Sequence, residues 1–222
     1  SDEMFFLDKR HYLPIVQGIA ERGIDLNLWA YARVDTVRPE FLEGFKKAGI
    51  NWLCLGIEAA NQKIRREISK GSFEEVDVRR VVSEIRSHGI KVLANFIFGL
   101  PDDDLESMQE TLDLALELNC EHVNFYPCMA LPGTPLYRWA VKEGFALPET
   151  YSGYSFHSYD CVPLPTKHLP ASEVLRFRDE GWRTYFSSPG YLDLAERTFG
   201  AAQRRNIEKM ASIRLKRKLL GD

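Results

Sequence analysis

Four apolar runs, each followed by a segment with helical periodicity, constrain what this chain can fold into. The runs are Leu26–Ala32, Trp52–Ile57, Lys91–Phe98 and His122–Tyr126. Most of their residues are apolar at odd and even positions alike, as in parallel strands that helices cover on both faces. Strands that alternate with helices indicate right-handed βα units. The pattern predicts an α/β protein built on a parallel sheet.

The helical segments have recognisable starts and ends, such as Pro39 at the start of one and Gly49 just past its end. Residues 147–170 lack this pattern and are rich in Pro, Gly, Ser and Tyr. We therefore predict a first domain over residues 1–146, then an extended segment and a helical C-terminal extension over residues 147–222. The predicted helices are Lys9–Arg22, Pro39–Ala48, Phe73–His88, Asp104–Leu118, Thr134–Lys142 and Ala171–Phe186, with a last pair running to Leu220.

Composition and charge exclude several classes of protein. The 222 residues are 45% hydrophobic and 27% charged, which is typical of a globular protein. A formal net charge of -3 provides no basic field for nucleic acid. There is no signal-peptide pattern and no apolar run long enough for a bilayer, so we expect a cytoplasmic protein without a membrane partner.

Basic residues are concentrated near the end of the sequence. We predict that they form a solvated helix face, and a contact with an anionic partner or an absent domain is the alternative. Within Ala171–Phe186 we expect Glu173, Arg176 and Arg178 to be exposed. The basic residues near the end are Arg204, Arg205, Lys209, Arg214, Lys216, Arg217 and Lys218.

The four cysteines are scattered. Cys54, Cys120, Cys128 and Cys161 do not have the spacing of a zinc or iron–sulfur site, so no metal ligands are assigned. Cys54 lies in an apolar run and is predicted to be a buried, inert thiol.

Polar residues occur where the predicted strands end. Arg33 follows the first strand, Glu58 the second, Asn95 lies in the third and Tyr126 ends the fourth. Lys70 follows the second strand at a longer distance. In parallel βα folds, functional residues lie at the carboxyl ends of strands, so these five are candidates for the site, as are Asp35, Asn61 and Asn124, which occupy similar positions.

Three segments carry a resemblance to a known family. LGIEAANQKIRREISKG, NFIFGLPDDD and VNFYPCMALPGTPLY resemble, in this order, successive strand motifs of radical S-adenosylmethionine (SAM) barrels. The resemblance covers about four of six βα units, residues 2–145, and implies a partial (βα) radical SAM barrel. FHSYD and the run WRTYF to YLDLAERTFG resemble radical SAM proteins with a cobalamin-binding domain, of the anaerobic magnesium-protoporphyrin IX monomethyl ester cyclase type.

The resemblance implies cofactor-binding roles for five of these residues. Glu58 matches a position that hydrogen-bonds SAM, Lys70 one that pairs with the SAM carboxylate, and Asn95 one near the ribose. Tyr126 matches the adenine position and Arg33 a position facing the cavity. A carboxylate, an amide and a lysine suit hydroxyl and carboxylate groups chemically.

Each of these residues also has a plain structural interpretation. Glu58 could cap the next helix or pair with Arg65, and Arg33 could pair with Asp35. Lys70 could be a solvated helix end, and Asn95 could satisfy buried backbone groups.

The chain departs from the family at the metal cluster. The family holds a [4Fe–4S] cluster with a CxxxCxxC triplet, and this sequence has none. We therefore expect the C-terminal part of a longer enzyme, inactive alone, whose N-terminal part supplies the cluster and a cobalamin domain.

The resemblance implies one-electron cleavage of SAM, or cobalamin-assisted chemistry, on a small molecule such as a tetrapyrrole. The catalytic residues and the substrate stay open. A non-catalytic interaction module and a half-barrel enzyme of another class are the alternatives.

The first strand is expected to be an edge. Leu26–Ala32 contains apolar residues and no Pro or Lys, and edges of this kind recruit another chain. A homodimer through this edge is predicted, unless the first helix or the tail covers it.

Overall fold

The four predicted strands form one parallel sheet with the order β1-β2-β3-β4. The computed structural model describes residues 5–68 and 76–222. β3 has the predicted bounds, whereas the first strand begins and ends later and the second is longer at both ends. The strands are β1 (Leu28–Arg33), β2 (Ile50–Glu58), β3 (Lys91–Phe98) and β4 (His122–Pro127).

Residues on β3 alternate between two environments. Val92, Ala94, Phe96 and Phe98 are buried, and the residues between them are half-buried. β4 repeats this alternation. Because side chains on a strand point alternately to opposite faces, one face of each strand lies in the core and the other is partly accessible.

Helices connect and follow the strands. Their apolar residues recur at helical spacing, as in α4, where Val78, Val82 and Ile85 are buried. No helix among the described residues is both long and apolar enough to cross a membrane. The helices in the described ranges are α1 (Lys9–Glu21), α2 (Pro39–Lys47), α3 (Gln62–Ile68), α4 (Val78–Ser87), α5 (Leu105–Leu118), α6 (Pro135–Lys142), α7 (Ala171–Phe186), α8 (Pro189–Phe199) and α9 (Ala201–Ala211).

Two of the predicted helical segments differ most from the structure. α4 begins at Val78 because the side chain of Asp77 accepts a hydrogen bond from the backbone N–H of Arg80 and caps the helix. Residues 73–75 of the predicted helix lie outside the described residues. The predicted last helix pair ends at Ala211 and does not run to Leu220; a non-helical segment and a short 3₁₀ turn follow.

Contacts divide the chain into two compact units, which we describe separately. The β1–β2 pairing and helices α1, α2 and α4 belong to unit 1, and the C-terminal helices to unit 2. Unit 1 comprises the described residues of Ser1–Glu58, Arg65–Asn95 and Cys120–Asn124, and unit 2 those of Ala59–Ile64, Phe96–Asn119 and Phe125–Asp222.

Within unit 2, the C-terminal tail is fixed by a buried arginine. The Arg217 side chain is 0% exposed, and its Nε and Nη2 donate to the Asp179 carboxylate at 2.7 and 2.8 Å. The carbonyl oxygens of Ser158 and Phe156 accept its remaining hydrogen bonds at 2.7 and 2.9 Å. The prediction of a solvated helix face is therefore wrong for Arg217, because a fully satisfied guanidinium tolerates burial.

A second arginine of unit 2 is also buried, contrary to prediction. Arg178 is 3% exposed. Its Nε donates to the carbonyl oxygen of Phe125 at 2.8 Å and its Nη1 to Asp179 at 2.9 Å. Burial lowers the pKa of Arg178, and its hydrogen bond to Asp179 opposes this. The two arginines share one carboxylate, which links α7 to the tail.

We predict that Gly49→Ala in unit 1 destabilises the protein by about 3 kcal/mol. Gly49 follows α2 with a φ of 83°, and an added Cβ would lie 2.1 Å from the carbonyl oxygen of Leu26. The control is Gly44→Ala within α2, where an added Cβ meets nothing. It should stabilise the helix by about 0.5–1 kcal/mol. Equal effects of the two variants in urea unfolding would contradict this account.

Candidate functional site

The pairing of β1 with β2 sets which side chains share a face. The parallel register joins Trp29 to Trp52, Tyr31 to Cys54 and Arg33 to Gly56, with an irregularity between Leu28 and Trp29. Side chains of paired residues in parallel strands point to the same side. This face is the less buried one, since Trp29 is 58% and Tyr31 41% exposed.

Glu58, the last residue of β2, lies on this same face. Its φ of 66° is left-handed, which is uncommon for a residue other than glycine. The side chain folds back over Gly56, where an added Cβ would lie 2.5 Å from Glu58 Oε1. No hydrogen bond or ion pair joins Glu58 to another described residue. A strained residue with an unpartnered carboxyl group at a strand end indicates a binding position.

Burial changes the protonation of this carboxyl group. Desolvation raises the pKa of Glu58 from its ordinary value of 4.5 to about 7. The group can therefore gain or lose a proton near neutral pH. A ligand that donates hydrogen bonds, or carries positive charge, would favour the ionised form.

Asn95 and Asn124 form an amide pair across β3 and β4 in unit 1. The Nδ2 of Asn124 donates to Oδ1 of Asn95 at 2.9 Å, which leaves the Nδ2 of Asn95 and the Oδ1 of Asn124 for other partners. Lys91 lies on the same side of β3 as Asn95, and its Nζ is 5.7 Å from the centre of the Trp52 ring. The amide pair thus lies on the same face of the sheet as Trp52.

Arg33 has an internal partner at the end of β1. Its Nε and Nη2 donate to the two carboxylate oxygens of Asp35 at 2.9 and 2.7 Å. This is the plain structural interpretation given above. A two-pronged pair of this kind orients the guanidinium, and the role of Arg33 toward SAM stays a prediction.

Three of the five candidates lie on the same half-buried face of the sheet in unit 1. These are Arg33, Glu58 and Asn95. Tyr126 belongs to unit 2, where its ring packs edge-on against Phe156 with a centroid distance of 4.9 Å. Lys70 lies outside the described residues.

The sequence placed Asn124 among the polar residues at strand ends but assigned it no role, and it did not single out Asp103. Asn124 occupies a half-buried position of β4, two residues before Tyr126. Asp103 organises the turn after β3 in unit 2. Its carboxylate accepts from the backbone N–H groups of Gly99 and Leu100 at 3.0 and 2.9 Å. It also accepts a hydrogen bond from Ser107 Oγ at 2.6 Å. Burial raises the pKa of Asp103, and these three hydrogen bonds oppose that shift.

The cysteines do not fit an iron–sulfur cluster. All four are buried. Burial raises the pKa values of Cys54, Cys120 and Cys128 to about 12, whereas a cluster needs thiolates. No group of three or more potential ligands occurs in residues 5–68 and 76–222. This confirms the prediction that Cys54 is buried, and no reaction step is assigned to a cluster here.

We predict that the stability of the wild-type protein falls, relative to Glu58→Gln, as the pH rises from about 4.5 to 7. The folded protein binds a proton at Glu58 more tightly than the unfolded chain does, so rising pH favours unfolding in this window. The relative loss should be about 2 kcal/mol, allowing for partial solvent access. Urea unfolding at several pH values measures it, and parallel curves for the two proteins would contradict the assignment.

Comparisons with known proteins support the family resemblance. The model of the radical SAM superfamily matches residues 10–115. TsrM, a radical SAM methyltransferase from Kitasatospora setae solved with cobalamin and a [4Fe-4S] cluster, superposes with a TM-score of 0.57 at 21% identity. The match covers 64% of this chain and 30% of TsrM, and at this identity it shows the fold alone. The predicted fold class is confirmed.

Three curated relatives are similar to most of this chain. An uncharacterized methyltransferase of Pyrococcus horikoshii is 25% identical over 86% of this chain and 41% of its own length. The bacteriochlorophyllide d C-12(1)-methyltransferase of Chlorobaculum tepidum is 28% identical over 61% of this chain and 30% of its own length. The anaerobic magnesium-protoporphyrin IX monomethyl ester cyclase of Rubrivivax gelatinosus is 25% identical over 86% and 34%. The chain spans less than half of each relative.

The superfamily uses SAM and a [4Fe–4S] cluster. The fold of TsrM matches the parallel sheet and helices of this chain. The resemblance seen in the sequence is thus confirmed over residues 10–115, which match the model of the radical SAM superfamily.

Proposed function

We propose that this chain contributes part of the SAM-binding surface of a radical SAM enzyme. The observation that carries the proposal is Glu58, a strained, half-buried carboxyl group without a partner among the described residues. The fold takes this carboxyl group partly out of water without giving it a partner, which disfavours its ionised form, and a ligand could supply the missing hydrogen bonds.

The residues present fit parts of SAM. Glu58 would accept hydrogen bonds from hydroxyl groups or from the amino group of SAM, and the Asn95–Asn124 pair would bind a ribose edge with its unused donor and acceptor. Arg33, oriented by Asp35, would face the ligand as a positive charge. When bound in such an enzyme, SAM supplies a deoxyadenosyl radical or a methyl group.

Two further assignments rest on the resemblance. Lys70 is proposed to pair with the carboxylate of SAM, as a flexible cation suits this group. Tyr126 is proposed to contact the adenine. The cluster, and cobalamin if the enzyme uses it, are proposed to be held by polypeptide outside these 222 residues.

The proposed reaction is methyl transfer or oxidative ring formation on a small molecule, of which a tetrapyrrole is one candidate. Relatives named as methyltransferases and as a cyclase support this range. Transfer of the methyl label of SAM into product distinguishes the first reaction from the second. A non-catalytic module that binds no ligand on this face would offer no partner for the Glu58 carboxyl group.

We predict that Glu58→Gln weakens SAM binding about tenfold, because a hydrogen bond to a charged group contributes about 1.5–3 kcal/mol. Asn95→Ala, which removes a neutral hydrogen bond, should weaken binding about fivefold. Lys70→Ala should weaken it as well. Equilibrium dialysis with methyl-labelled SAM measures these affinities.

The matched controls for this experiment are Glu40→Gln and Asn206→Ala. Both residues are exposed, on α2 and α9, and neither belongs to the candidate site. Their affinities for SAM should equal that of the wild type. Equal losses in control and site variants, or no loss in Glu58→Gln, would overturn the assignment.

A further inference from the structure

Unit 2 contains a cavity of about 860 Å³ that none of the SAM-assigned residues lines. Its walls come from α7, from the end of α9 and from residues 213–222. Pockets that hold small molecules have volumes of roughly 300–1,000 Å³. The cavity therefore has the size of a ligand site, and it is independent of the function proposed for unit 1.

The tail that forms one wall is fixed in place. Arg217 holds it at Asp179, as described above, and the backbone N–H of Lys218 donates to the carbonyl oxygen of Tyr159 at 3.0 Å. At the end of the tail, Tyr159 Oη donates to the carbonyl oxygen of Asp222 at 3.0 Å. The Oδ2 of Asp222 accepts from the Arg217 N–H at 3.0 Å. This wall is thus a built part of unit 2.

Apolar side chains line the cavity and remain accessible. Met210 and Leu215 are each 40% exposed, and Ile213 is 58% exposed. Trp182 and Leu220 add an aromatic ring and a further aliphatic group. Clustered apolar surface of this kind marks an interaction site, because isolated proteins rarely leave it in water.

The charged lining residues have an excess of positive charge. Arg183, Arg214 and Lys216 form no ion pair within the described part of the chain. Among the acidic lining residues, Asp179 is paired with the Arg217 side chain, whereas Asp222 accepts from the uncharged backbone N–H of Arg217. Glu180 and Asp222 are therefore the two acids that oppose three cations.

The other cationic groups of the lining do not alter this balance. Arg178 is paired with Asp179 and Arg176 with Glu173. Burial, together with the charge of Arg178, lowers the pKa of His157, which favours its neutral form at neutral pH. The unpaired cations thus face a mostly apolar space.

We propose that this cavity binds a small molecule with a flat apolar body and a carboxylate group. The apolar body would pack between Trp182 and the tail, and the carboxylate would pair with Arg183 and Arg214. Two guanidinium groups suit a carboxylate because each presents a planar fork of donors. The apolar walls explain why a bare inorganic anion would not suffice.

The test uses pyrenebutyrate as the probe, with the 222-residue chain, and fluorescence anisotropy to measure affinity. Pyrenebutanol, which has the same apolar body without the charge, should bind at least about tenfold more weakly. The double variant Arg183→Gln, Arg214→Gln should weaken pyrenebutyrate binding by a similar factor. The control Arg205→Gln, an exposed arginine of α9 outside the cavity, should leave the affinity unchanged.

A second variant addresses the wall itself. Arg217→Met removes the ion pair that holds the tail, so it should weaken both probes while Arg205→Gln weakens neither. Circular dichroism checks that the helices of the variants are retained. If Arg217→Met does not fold, the double variant and its control alone test the proposal. Equal affinities for the two probes, no effect of the double variant, or no binding of pyrenebutyrate at micromolar concentration would overturn the proposal.

Discussion

The parallel backbone pairing of β1 with β2 is the constraint on which the candidate site depends. Its register aligns Arg33 with Gly56, two residues before Glu58. Because strand residues alternate between faces, a slip by one residue would move this whole set of side chains to the opposite face. Leu53, Leu55 and Ile57, which are fully buried on the other face, hold the register against such a slip.

The same pairing explains how a strained carboxyl group is kept at the end of β2. A left-handed residue that is not glycine costs about 1–3 kcal/mol, and desolvating a carboxylate adds to this cost. The buried apolar residues of β2 stabilise the strand by more than this cost, since each fully buried leucine or isoleucine contributes about 1.5–3 kcal/mol. Burial and strain at Glu58 are therefore tolerated, and they leave the group prepared for a ligand.

Much of the fold followed from local sequence patterns. β3 and α7 have the predicted bounds, because alternation, helical periodicity and flanking turn residues are all encoded nearby. Contacts between distant residues were not predictable in this way. Arg178 and Arg217 were expected to be exposed, but both are buried. The burial of Arg217 could not be predicted from local patterns, because Asp179 and the carbonyl group of Ser158, which accept its hydrogen bonds, lie far from it in the sequence. The Asn95–Asn124 pair likewise depends on strand neighbours 29 residues apart.

The sequence predicted where the candidate residues lie on the sheet, but not the state of Glu58. Arg33 and Glu58 lie at strand ends and Asn95 within β3, as expected, whereas the backbone conformation and raised pKa of Glu58 depend on packing that no local pattern shows. Carbon-13 NMR titration of the Glu58 side-chain carboxyl tests the central claim most directly. The account gives a pKa of about 7 in the free protein and a lower value once SAM is bound. A pKa near the ordinary value of 4.5 that SAM leaves unchanged would contradict it.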